Sequence, residues 1–174
     1  MDEQFKVKMK EGIDGFRLPS FHEIPDVGLF LEQTTKYIAG AIEPLIGVSI
    51  TSSMISNYVK RKLIESPQKK QYSREQIAYL IFIAITKSVL SLENLQTMIT
   101  MQKASYGVER AYEYFCRELE NILFYTFGLK ENYETVGIEN SYQKTILRNA
   151  IIAVVHKVYL EKCLSLMQEE NKTK

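Results

Sequence analysis

At 174 residues, with 45% hydrophobic and 25% charged content, the chain is long enough to bury a core of one domain or two small ones and has the make-up of a soluble globular protein. A formal net charge of +1 excludes a globally basic protein, and two cysteines without C-x-x-C spacing exclude a disulfide scaffold. The charged N-terminus leads into no signal-peptide run, and the longest apolar run, Ile77 to Ile85, is well short of the roughly twenty residues that span a bilayer. A cytoplasmic location and no membrane partner are expected.

Residues 1–17 alternate charge and apolarity around Gly12 and Gly15 and read as a flexible N-terminal arm. Order is expected from Leu18-Pro19, with Ser20 and Glu23 forming a capping box over one helical turn. Val27, Phe30, Leu31, Thr34, Ile38 and Ala41 recur at helical spacing and predict an amphipathic helix from Asp26 to about Gly40, stopped by Pro44 and Gly47.

The central helix begins at Thr51, whose hydroxyl suits an N-cap. Ile55, Tyr58, Val59 and Leu63 make its apolar face; Ser53, Ser56, Asn57 and Lys60 make the opposite face, flanked by Ser52 and Arg61. Short polar side chains let a backbone approach a major groove, Asn pairs with adenine, and Lys or Arg reaches guanine or phosphate. From Tyr58 to Glu75 six basic residues face two acids, a net of +4 against +1 for the whole chain, so the positive charge is a local footprint. The plainer reading is a solvated helix whose basic end complements its dipole.

Pro67 ends helix and fits a short wing. Ser73 with Gln76 opens a helix to about Ser88 whose segment Ile77–Ile85 is apolar nearly all round and should be a buried hub. Ser91 caps a further helix with Leu92, Leu95, Met98 and Ile99 inward. Tyr106-Gly107 marks a boundary before a helix over Val108–Phe127, stopped by Gly128. A polar loop, 129–140, leads to a long helix from Ser141 to about Met167, and the charged tail 168–174 should fray. The pattern is all-α, with about six helices. It divides into the arm, a head over 18–104 and a C-terminal helical region over 105–174 for dimerisation or effector binding.

The order Met54-Ile-Ser-Asn-Tyr-Val-Lys-Arg-Lys-Leu-Ile64, a proline, then Lys70-Gln-Tyr-Ser-Arg-Glu75 resembles the winged helix-turn-helix head of MerR-type bacterial regulators. Lys70 and Tyr72 match that family's wing Arg and Tyr, and Tyr58 its second helix Tyr, while Ser56, Asn57 and Lys62 stand where it has Arg, Tyr and Gly. Leu18-Pro-Ser-Phe-His-Glu-Ile-Pro-Asp26, Ile50 to Val59, and Lys70 to Leu80 together resemble the bacterial family of domain of unknown function 1836. The MerR-type resemblance implies a DNA-binding transcriptional regulator acting on double-stranded DNA as a homodimer, with Ser53, Asn57, Lys60 and Arg61 nearest the bases, Ser52 and Ser56 beside them in the DNA-binding set, and Lys69, Lys70 and Tyr72 on phosphate; the family of domain of unknown function 1836 carries no established activity. The alternative is a helix-turn-helix-derived protein interaction module without DNA binding.

Catalytic chemistry is not expected. His22 and His156 sit in no metal-ligand spacing, Cys116 and Cys163 read as small core residues, and no acid, base and stabiliser come together. No cofactor is implied. The aromatic run Tyr106, Tyr112, Tyr114, Phe115, Phe124, Tyr125, Phe127, Tyr133 and Tyr142 reads either as helix packing with a dimer seam or as a pocket for a small-molecule effector.

Overall fold

The computed structural model describes residues 3–132 and 141–172; the expected position of Tyr133 and of Gly137 in the polar loop lies outside them. Among the described residues the fold is mostly helical, with seven α-helices and a two-stranded sheet: α1 (Glu3–Lys10), β1 (Leu29–Phe30), α2 (Leu31–Ile42), α3 (Ser52–Lys60), β2 (Gln71–Tyr72), α4 (Arg74–Thr86), α5 (Leu92–Lys103), α6 (Val108–Thr126) and α7 (Tyr142–Lys172). None of these helices is long and apolar enough to cross a membrane.

Local capping chemistry fixes most of the helix starts. Ser20 N–H donates to Glu23 Oε2 at 2.8 Å at a one-turn 3-10 helix. Thr51 Oγ1 accepts from Met54 N–H at 3.2 Å, and Ser91 Oγ accepts from Asn94 N–H at 3.2 Å. Ser73 and Gln76 cap each other reciprocally at the start of α4.

Helix α4 is the hub that its sequence suggests. Ile77, Ala78, Leu80, Ile81, Ile83, Ala84 and Ile85 are all buried, and the helix packs mainly against α2, α6 and α7. Thr86, also buried, returns its hydroxyl to the Phe82 carbonyl at 2.6 Å, which satisfies the polar group inside the core. Buried side chains from Phe5 through Val158 form one continuous cluster, joining the head and the C-terminal region drawn from the sequence.

Three expectations are corrected. Residues 3–17 are not a loose arm: Phe5, Met9, Ile13 and Phe16 are buried, and α1 lies on α7. Their spacing of four and three is helical, but the interleaved lysines disguise it as alternation. Lys162 of α7 donates from Nζ to the Glu11 carbonyl, tying the end of this segment down. The second correction is the start of α2, at Leu31 rather than Asp26. The preceding residues are drawn out as β1, paired antiparallel with β2 through Leu29 opposite Tyr72 and Phe30 opposite Gln71. Gly28 permits that pairing, since a Cβ there would lie 2.7 Å from the Gln71 Cβ. Val27 and Phe30, expected to face inward, are therefore exposed, and α2 runs through Gly40 to Ile42. The third is the tail: residues 168–172 continue α7 as helix.

Candidate nucleic-acid interface

Helix α2 packs against both parts of the candidate surface, α3 and the β1–β2 ribbon. Ile55 and Tyr58 are buried against the body, with Leu63 beyond the helix end and Val59 half-buried. That orientation turns Ser53, Ser56, Asn57, Lys60 and Arg61 to solvent. The connection 43–51 between α2 and α3 is long for a helix-turn-helix, and buried Leu45 and Ile50 pin it to the core.

The end of α3 departs from common practice. Lys62 N–H donates to the Val59 carbonyl and Leu63 N–H to the Tyr58 carbonyl, both at 2.9 Å, the pair of hydrogen bonds of a Schellman cap. Glycine is the usual residue at the left-handed position of that cap, yet Lys62 occupies it with φ 57°. The same cap at the end of α6 uses Gly128, φ 69°.

Beyond Pro67 the chain makes its tight turn, Gln68-Lys69-Lys70-Gln71. Gln71 N–H donates to the Gln68 carbonyl at 2.8 Å, the two residues form a β-bridge, and Lys69 and Lys70 have φ 49° and 66°. Positive φ at both central residues marks a type I′ hairpin turn, whose preferred occupants are Asn and Gly. Two lysines hold it here, both exposed at the tip. Among the described residues, Lys60, Arg61, Lys62, Lys69 and Lys70 have no ion-pair partner.

Two members of the expected set are placed elsewhere. Ser52 Oγ donates to Glu32 Oε1 at 2.9 Å and lies 2.9 Å from Thr35 Oγ1, so its hydroxyl fastens α3 to α2 rather than facing outward. Tyr72 is only 4% exposed and belongs to the core, with burial raising its phenol pKa. Strand alternation sends it inward while Gln71 stays half-exposed. Arg74, counted in the basic island, is also turned in: Nε donates to the Ile24 carbonyl at 2.9 Å and the guanidinium sits 5.7 Å from the Phe21 ring centroid. Lys62, counted in the basic island but not among the expected contact residues, joins the exposed set instead.

A family model described as "Domain of unknown function (DUF1836)" matches residues 19–115. The chain belongs to the DUF1836 family. The match runs from the 3-10 turn through α2, α3, the Gln68–Gln71 turn, β2, α4 and α5 into α6, so it contains every exposed residue of the candidate surface. Neither curated proteins nor solved structures provide a match. Outside this surface, His22 Nε2 lies 2.9 Å from Glu109 Oε1, His156 is exposed on α7, and burial pushes the Cys116 thiol up to about 12.

Proposed function

We propose that this DUF1836 protein is a cytoplasmic, sequence-specific regulator of transcription that binds double-stranded DNA through a MerR-like winged helix-turn-helix. In this reading α3 enters the major groove, with Ser53, Ser56 and Asn57 toward base edges and Lys60, Arg61 and Lys62 at the groove wall. Lys69 and Lys70 hold phosphate from the wing.

The observation that carries the reading is the pair of lysines at a turn that L residues adopt only at a cost. Strain kept at an exposed tip, where a relaxed Asn-Gly would serve folding better, points to a use for the two ammonium groups. The basic charge lies at the C-terminal end of α3, whereas Glu32 sits by Ser52 at its N-terminal end, which orients the surface toward phosphate from one side.

Two-fold recognition of paired half-sites needs a dimer. Helix α7 supplies a candidate seam, with Leu160, Leu164 and Met167 exposed at helical spacing.

Val27 and Phe30, 74% and 49% exposed beside the wing, favour the second reading, a protein interaction module. Fluorescence anisotropy against a random duplex library separates the two. DNA binding predicts affinity that falls steeply with salt and is removed by Lys60→Glu and Lys70→Glu; absence of binding at low salt overturns it.

A further inference from the structure

A cavity of about 530 Å³ opens between α4, α5, α6 and α7, away from the lysines of α3 and the wing. Its walls are Phe82, Met98, Ile99, Phe115 and Leu147, with the Phe82 and Phe115 rings edge-to-face at 5.2 Å. Size and lining match sites that enclose a drug-sized molecule, and flexible methionines let such a wall adapt. The charged lining is of one sign. Among the described residues Arg110, Arg117 and Lys144 contribute to it and no carboxylate does.

These three cations have no ion-pair partner among the described residues. Lys144 Nζ instead stands 5.3 Å from the Tyr114 ring centroid, and the Arg110 guanidinium 5.5 Å from that of Tyr106. Lys144 also lies in the first turn of α7, where the helix dipole disfavours a cation and favours an anion.

We infer that this cavity binds an amphipathic organic anion, its apolar body among Phe82, Met98 and Phe115 and its carboxylate at Arg110, Arg117 and Lys144. The site stands on the cavity and its charge. That such a ligand would act as an effector, through α4 to the wing that precedes it, is a consequence that alone rests on the DNA-binding reading.

The test uses the full chain without DNA. Decanoate, decanol and decylamine, equal in chain and different in headgroup, are titrated below micelle formation by calorimetry, with melting temperature as a second readout. Decanoate binds and raises the melting temperature, and decylamine does not. Arg117→Gln and Lys144→Gln each weaken decanoate about tenfold, the loss of one charged hydrogen bond, and leave decanol unchanged. Ala111→Phe, which intrudes on the cavity, abolishes decanoate binding with the helical circular dichroism retained. Should that variant fail to fold, the two charge variants on accessible positions still decide. Decanoate that does not bind, that binds no better than decanol or decylamine, or that ignores both charge substitutions overturns the inference.

Discussion

Replacing Lys69-Lys70 by Asn-Gly separates folding from function at the wing. The left-handed region costs an L residue roughly 1–2 kcal/mol, and Asn and Gly tolerate it far better than Lys. Glycine returns about 0.5–1 kcal/mol of that gain through the freedom it adds to the unfolded chain. The double variant is thus expected to be about 1 kcal/mol more stable, which for a chain of this size raises the melting temperature by about 2–4 °C. Under the proposed DNA-binding function, affinity for DNA should move the opposite way. Each phosphate contact contributes about 0.9 to the slope of log affinity against log salt, so losing two lysines flattens that slope by about two. Lys69→Gln with Lys70→Gln is the control, removing charge while keeping the strained backbone, and should flatten the slope with little change in stability. Calorimetric melting and anisotropy titrations over a salt series provide both readings. A more stable variant whose affinity and salt slope match the wild type refutes the functional account of the strain. A less stable one refutes the strain itself.

Other substitutions test neighbouring parts of the argument. Lys62→Gly places the residue preferred at a Schellman cap and should stabilise by about 1 kcal/mol in a denaturant titration while flattening the salt slope by about one. Ser52→Ala should cost about 1 kcal/mol of stability by removing its bond to Glu32 and leave DNA affinity nearly intact, whereas Asn57→Ala should do the reverse. Glu23, hydrogen-bonded by Arg17 and by Ser20, has its carboxyl lowered to about 2. A lowered folded-state value means that the contribution is present above the unfolded value of about 4.3 and is lost as pH falls toward 2, so wild type and Glu23→Gln should differ near neutrality and converge over that window. Leu160→Glu with Leu164→Glu should give a monomer by light scattering if α7 forms the dimer seam, and an unchanged mass removes that role from α7.

What was legible in the sequence was local. Caps at Thr51, Ser73 and Ser91 announce helices because each hydroxyl accepts from a backbone N–H only three residues away, and at Ser20 the backbone N–H finds the Glu23 carboxylate at the same separation. The all-round apolar character of Ile77–Ile85 announces a hub because no one-sided helix could hide it. Non-local pairing was hidden. Nothing near Leu29 states that Tyr72 lies opposite, so the β1 residues read as the start of α2, and Tyr72 reads as a phosphate contact when strand alternation turns it inward. The N-terminal arm failed for a related reason, since Phe5, Met9 and Ile13 gain their partner only when α7 lies alongside.

The candidate surface shows the same division with one addition. Charge counting found Lys60, Arg61, Lys62, Lys69 and Lys70 but also included Arg74, which the fold spends on Ile24 and Phe21. Backbone geometry sorts the lysines in a way that charge cannot. Gly128 and Lys62 end their helices with the same pair of hydrogen bonds, so the fold itself asks for glycine at both places and receives it at one. Lysine at three left-handed positions, all exposed, is a repeated departure from what stability favours. A single strained residue is an accident that a marginally stable chain can carry. Three of one charge within residues 62–70 are what the proposed DNA-binding function would use, since a polyanion is a partner whose chemistry takes exposed ammonium groups.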